Sequence, residues 1–462
     1  MLFKIFKIVF CFALFFSVGS LFAQSSDNPK SMALGRTSVA NSFNIDALNN
    51  NPANLVYNGT FDKSNYYISV FSSAGYMMNS EFLTLDFYNK YFTGNENGGA
   101  RFLSDIDKKD ILKQSSNTAS NFGVNLKFFG LVIKDKDIGA FGFSVEDRIL
   151  GKNYLPEDAM HIALFGNEKN RTYDFSDFDI DMSWIRQLNF SYAREFNDLF
   201  SGIDGFSAGI SVKPALGYYN FHMHNNDLTL HTDDSNKVNA RGNMVMRSSR
   251  IGKEKGAIVF PEFTELAGFG MGFDVGFHFK FDKKWDMGLS VTDIGWMNWY
   301  KNTKEYLYEG DFLITDLGNS EQYDRLLNLI EGTSQEIPNY QQSMPTTVHV
   351  GVNYKIFDPI FSKNSIERAN ISFEYAQGLS NTSGTLMKPL FFLGGEYMLS
   401  QYFIPRMGFV LADKENFAMS LGAGMVTDYF VFDIGTHNIL SIVDVNKSTK
   451  TSFAVSMKLK FD

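Results

Sequence analysis

The sequence of 462 residues holds one cysteine, Cys11. It lies in the N-terminal apolar run, and a mature chain cut after that run has no cysteine, which removes disulfides, thiol catalysis and Cys-based zinc sites together. Basic charge is also short: 42 Lys and Arg stand against 51 Asp and Glu, a formal charge of −9. Such a balance gives no electrostatic footing for nucleic-acid binding. An α-helical membrane protein would show several apolar runs of about twenty residues. Only one is present, at the N-terminus, where Lys4 and Lys7 precede the apolar stretch Ile8–Val18 and then Leu21-Phe22-Ala23. This pattern predicts a secretory signal peptide over residues 1–23, cut after Ala23; Leu21 is larger than the residue usual at minus three. Its removal takes Cys11 with it and moves the formal charge to −11.

What the sequence has in quantity is aromatic and glycine residues: 47 Phe, 21 Tyr and 38 Gly. Between Leu266 and Trp296 they fall into strict alternation. Phe269, Met271, Phe273, Val275, Phe277, Phe279 and Phe281 alternate with Gly268, Gly270, Gly272, Asp274, Gly276, His278 and Lys280. A period of two sustained this far exceeds the five or six residues of a soluble strand. One face is wholly apolar and the other is glycine and charge, as in a strand with lipid outside and a polar lumen inside.

The same test finds fourteen candidate strands, near 66–78, 120–133, 138–150, 182–196, 205–219, 266–281, 286–297, 346–356, 367–378, 388–398, 402–411, 416–426, 429–438 and 451–461. Alternate connections are short (134–137, 197–204, 282–285, 357–367, 400–401, 427–428), and four of the others are long (79–119, 151–181, 220–265, 298–345). Short periplasmic turns alternating with long outer loops, an even strand count and both termini on one side all predict an antiparallel transmembrane β-barrel over 66–462. A segment at 24–65 precedes it. Surrounding outer-membrane lipids are the implied first partner. In the last strand Phe453, Val455, Met457, Leu459 and Phe461 alternate with Ala454, Ser456, Lys458 and Lys460. A lysine on the lipid face costs about 2–4 kcal/mol near the midplane, so both lysines are expected to face the lumen or the interface.

The segment Met32-Ala-Leu-Gly-Arg-Thr-Ser-Val-Ala-Asn41, followed by Asn51-Pro52-Ala53-Asn54, resembles the N-terminal segment of the FadL superfamily of outer-membrane barrels. Within it the chain most resembles a Bacteroidota family labelled a domain of unknown function, which Val291-Thr-Asp-Ile-Gly-Trp-Met-Asn-Trp299 also fits. The resemblance implies that residues 24–65 fold as a plug inside the barrel, with Asn51, Pro52 and Ala53 at the gate. It implies passive movement of a small hydrophobic molecule. The alternative is a plugged scaffold whose long outer loops dock secretion, gliding or surface proteins. The C-terminal strand resembles the signal read by the barrel-assembly machinery. Asn-Pro-Ala also suits a plain turn stiffened by proline.

Strand alternation places Lys127, Glu146, Arg148, Glu195, Asp274, His278, Glu374, Glu396, Arg406 and Asp433 in the lumen. Their mixed signs predict mutual pairing around the plug rather than a selectivity ring of one sign. Inward glycines make room for a plug or a bend, and no βαβ unit follows Gly268, Gly270 and Gly272 as nucleotide binding requires. His222, His224 and His231 near Asp227, Asp233 and Asp234 offer either a surface metal site or an ordinary polar loop. No catalytic motif is found. His278 and Ser290 share the lumen phase, not the outer wall, so the reading is of a non-enzyme without cofactor or resident metal. Helices are expected in the outer loops at 104–113, 156–165 and 321–331.

Overall fold

In the computed structural model, alternation of apolar and polar residues is realised as a closed ring of fourteen antiparallel strands. The described residues are 28–94, 102–196, 199–235, 237–250, 252–254, 257–259, 265–309, 312–314, 321, 333–358, 366–385, 387–411 and 417–462. The expected signal peptide therefore lies outside them, as does nearly all of the helix expected at 321–331.

The ring strands in chain order are β1 (Tyr66–Ser80), β2 (Thr118–Asp135), β3 (Gly139–Leu155), β4 (Asp179–Phe196), β5 (Gly205–Asn226), β6 (Gly268–Lys280) and β7 (Trp285–Trp299). They continue as β8 (Thr347–Asp358), β9 (Ile366–Gly378), β10 (Leu390–Tyr397), β11 (Ile404–Leu411), β12 (Ala418–Val426), β13 (Phe430–Thr436) and β14 (Lys450–Phe461). Each pairs with the next, and β14 closes on β1 with Tyr66 opposite Phe461 and Asn79 opposite Lys450. All fourteen were legible from periodicity. The outward phase is apolar and exposed (Phe141, Phe190, Ile210, Phe269, Phe373, Met407 and Met457 among others), which is the lipid-facing belt. Tyr66, Phe200, Phe281, Trp285, Tyr402, Tyr429 and Phe461 form an aromatic girdle at the end with short turns. Among the described residues no helix is long and apolar enough to cross a membrane.

The wall is uneven in height. β2 to β5 run 17 to 22 residues, whereas β10 to β13 run only 7 to 9. Above the tall side, β5 continues outward to pair with Asn243–Ser249, which pairs with Thr303–Glu309. A separate sheet joins Arg171–Asp174, Thr229–Thr232, Val238–Arg241 and Phe312–Ile314. These outer strands were not foreseen, because runs of three to seven residues are too short to show a sustained period of two.

Two expected loop helices are present. Asp105–Ser115 starts in a capping box of Ser104 and Asp107, and Glu157–Phe165 ends at Gly166, whose φ of +82° suits glycine. A further helix, Leu85–Tyr91, is N-capped by Thr84. Phe82, Phe87, Tyr91, Ile111, Leu155 and Met160 pack together as an apolar cluster at the outer mouth.

Candidate functional site: the plugged lumen

Residues 28–57 lie inside the ring. Two devices begin the segment: Asn28 caps the short helix α1 (Pro29–Ala33), and Gly35 carries a φ of +63° that turns the chain. Asn51 caps a 3₁₀ turn over Pro52–Val56 by accepting the Ala53 N–H at 3.1 Å. Asn-Pro-Ala thus builds a capped turn and does so within the lumen. Asn51 and Ala53 are completely inaccessible, and almost every residue from 28 to 57 is buried. One end, α1, packs against β11 to β14, and the Pro52–Val56 turn packs against β4, β5 and β6, so the plug bridges the lumen.

The wall is carved to receive it. A Cβ on Gly408 would stand 2.0 Å from the Gly35 nitrogen, and one on Gly276 would stand 2.0 Å from Asn51 Oδ1. Backbone approaches this close admit only glycine. Gly268, Gly270 and Gly272 make room instead for Trp299, Met297 and Met344, inward neighbours on or beside the wall. Replacing Gly408 with valine is expected to expel α1 while leaving the strands paired. The check is a folded, heat-modifiable barrel whose residues 28–57 become open to protease; if the segment stays protected, the fit is looser than described.

Hydrogen bonds then fix the plug from several sides. Glu374 Oε2 accepts the Ser38 and Val39 N–H groups at 2.6 and 2.9 Å, while its other oxygen lies 2.8 Å from His349 Nδ1. Asn51 Nδ2 donates to the carbonyls of Val39 (2.8 Å) and Phe277 (3.1 Å), and Ser207 Oγ donates to the Ala53 carbonyl at 2.9 Å. Lys134 Nζ donates to the Tyr57 carbonyl and Asn58.

Ion pairs add a second layer. Arg406 lies 2.9 Å from Glu396 and 2.6 Å from Asp433. Lys30 of the plug reaches Glu396 at 3.1 Å, and Lys458 joins Asp433 (3.0 Å) to Asp46 of the plug. Lys460 holds Asp62 at 3.1 Å. Beneath this network is a cavity of about 120 Å³, bounded by Lys30, Asp46, Asp62, Glu367, Asn370 and Arg406.

A third group lies across the lumen from these: Lys213 is within 2.7 Å of Asp274 and 2.9 Å of Asp293, and Arg148 is 2.9 Å from Asp293. Lys127 stands 3.9 Å from Glu146. His278 is fully buried, 3.6 Å from Asp286 and 4.7 Å between ring centroids from Tyr57. The residues expected in the lumen (Lys127, Glu146, Arg148, Asp274, His278, Glu374, Glu396, Arg406 and Asp433) are all buried there. Glu195, at the end of β4, is exposed instead, because its strand has already passed the rim.

Two central residues are absent from the sequence-based set, and only the first of them escapes simple counting. Asp293 should point outward by alternation, yet β7 bulges where Val275 pairs with Val291 and Phe273 with Ile294. The extra residue places Thr292 and Asp293 both inside, Asp293 at a φ of +55°. Lys213 shares the phase of Ser207 and Ser211 on β5, so alternation was enough to find it.

The outer mouth is also crossed by chain. Residues 379–385, after β9, fold inward to the opposite wall. The Ser383 N–H donates to Asp181 at 2.6 Å, and Lys152 Nζ donates to the Asn381 carbonyl at 3.1 Å.

The histidines do not converge. His222 and His224 extend β5, His222 bonds Asn220 at 3.0 Å and His224 faces Arg247 at 3.3 Å. His231 bonds Thr172 at 2.9 Å. Among the described residues no group of three or more His, Cys, Asp or Glu is arranged to hold a metal ion. The Ser290 hydroxyl and both His278 nitrogens form no hydrogen bond, so no serine–histidine pair is made.

Among solved structures the chain is similar to the toluene transporter TodX of Pseudomonas putida (11% identity, 94% of this chain and 99% of that one, TM-score 0.44). It is similar also to a Pseudomonas aeruginosa FadL homologue (12%, 96% and 100%, TM-score 0.47). A deletion mutant of TodX, described as a monoaromatic hydrocarbon channel, matches at 10% identity over 94% of this chain and 99% of its own, with a TM-score of 0.49. No curated protein sequence matches. The model of one family, described as a family of unknown function (DUF5723), matches residues 59–416, and the chain belongs to that family.

Proposed function

We propose that this barrel is an outer-membrane channel that passes a small hydrophobic molecule when its plug shifts. The observation that carries the reading is a run of buried apolar side chains from mouth to plug. It starts in the loop-helix cluster of Phe82, Phe87 and Tyr91. Five residues before Phe82, Met77 belongs to a cluster on the inner wall with Leu390, Phe392 and Val410. That cluster lies close above the plug, since the next inward position on β11 is Gly408, against Gly35. Between the two clusters is Asn79, 2% exposed, whose amide nitrogen and oxygen both lack partners. Apolar side chains with one unpaired amide among them are the usual lining of a selective apolar site.

Passage requires the Asn51–Ala53 turn to leave the wall. Cysteines replacing Ala53 and Ser207, neighbours through the bond from the Ser207 hydroxyl to the Ala53 carbonyl at 2.9 Å, are the pair to join by oxidation so that the turn is locked. Oxidised protein in liposomes is expected to lose uptake of a monoaromatic probe, and a reductant is expected to restore it. Equal uptake in both states would end the channel reading.

A second reading, the closed scaffold that docks secretion, gliding or surface proteins, draws on a different observation. The plug and residues 379–385 cross the lumen at two levels. Uptake absent from both the locked and the unlocked protein would favour it.

A further inference from the structure

Short strands leave part of the membrane unspanned. β13 has 7 residues. At about 3.3 Å per residue and a tilt of about 40°, it rises about 18 Å against an apolar band of about 25 Å. Its outward positions Phe430, Phe432 and Ile434 end there, and Thr436, His437 and Asn438 turn inward and are buried. The chain then comes back out as a short helix, Leu440–Val443, on top of the short wall.

Leu440, Ile442, Val443 and Val445 are 54 to 75% exposed. They are not held out by looseness. The Ile439 N–H donates to the Met419 carbonyl of β12 at 2.8 Å, and Asn438 Nδ2 donates to the Lys450 carbonyl of β14 at 2.9 Å. Ser420 Oγ donates to the His437 carbonyl at 3.0 Å, and the Asp86 N–H donates to the Asn446 carbonyl at 3.0 Å. A loop fixed on three sides cannot tuck four aliphatic side chains inward. The lipid-facing residues Leu421 on β12 and Phe453 on β14 lie on the strands that flank β13. The aliphatic patch therefore continues the belt upward where the strand stops short.

From this continuity we infer that the Leu440–Val445 segment is immersed in the acyl chains of the outer leaflet, completing the apolar belt over β13. The occupant is lipid rather than protein because the patch prolongs a surface that lipid already covers. Lys447, exposed and 3.8 Å from Asp444, then stands at the level of the anionic headgroups.

Spin labels test this in the full chain with Cys11→Ser, reconstituted in bilayers. A label at Val443→Cys is expected to collide with oxygen, which concentrates in acyl chains, more than with a water-soluble nickel chelate. A label at Ile106→Cys, 80% exposed on the highly charged helix Asp105–Ser115, is expected to show the reverse order. Nickel access at Val443 equal to that at Ile106 overturns the inference, as does shielding from both agents, which would mean that protein covers the patch. Ile442→Cys and Val445→Cys supply the same readout if the first variant fails to fold.

Discussion

Replacing Lys213 with methionine is expected to destabilise the barrel by about 3–5 kcal/mol, the cost of breaking a buried ion pair from one side. The lysine is wholly inaccessible and lies between two carboxylates, Asp274 at 2.7 Å and Asp293 at 2.9 Å. Without it, Arg148 alone faces both charges, and it touches only Asp293. Methionine fills the volume, so the loss is electrostatic rather than a cavity. Adding Asp274→Asn should recover part of the loss, since one lone carboxylate then disappears and Arg148–Asp293 remains paired. Guanidinium unfolding of reconstituted protein, followed by tryptophan fluorescence, gives both numbers. A loss below about 1 kcal/mol, the range of exposed pairs, would show that water reaches this group.

The second large effect concerns permeability. Glu374→Ala removes the acceptor of the Ser38 and Val39 N–H groups and strands both in a site without solvent. Each unmet buried donor costs about 1–3 kcal/mol. Since about 1.4 kcal/mol is a factor of ten in population, the displaced-plug state should gain roughly tenfold or more. Planar-bilayer recording is expected to show frequent openings in Glu374→Ala. Glu374→Gln, which keeps one acceptor oxygen, should lie between the two. Silent traces from Glu374→Ala would mean that Asn51, Ser207 and the Lys458–Asp46 pair hold the plug without it.

The ring was legible because alternation is a property of each strand taken alone. Fourteen periodic segments gave fourteen strands, and the lumen phase collected Arg148, Glu374 and Arg406 without any knowledge of their partners. Partnership was less visible. That Arg406 would bridge Glu396 and Asp433 depends on three registers across four strands, which no single segment encodes. The β7 bulge shows where the method fails outright. One extra residue reverses the phase, so Met297 and Trp299 turn inward and Ile294 and Trp296 face out. The outer ribbons at Asn243–Ser249 and Thr303–Glu309 were missed for another reason. Their apolar residues (Met244, Val245 and Met246; Tyr306, Leu307 and Tyr308) are consecutive and fall on both faces, so no period of two shows, and the ribbons take their structure from the β5 edge.

The plug's anchors also set an order of events during biogenesis. Asp46 and Lys458 are separated by 412 residues, and Asp62 and Lys460 by 398. α1 packs only against the last strands to emerge, β11 to β14 among them. The first folded residues of the chain therefore lack their binding surface until its final strand is complete. Contacts this distant in sequence form late, because the closure entropy of the intervening chain must be overcome first. The Pro52–Val56 end can dock on β4 to β6 early, but α1 must wait beside a half-formed sheet and be enclosed as β14 zips onto β1. Whatever machinery inserts this protein then has to hold that seam apart long enough for the segment to enter, and a chain that closes too early would leave an unplugged pore.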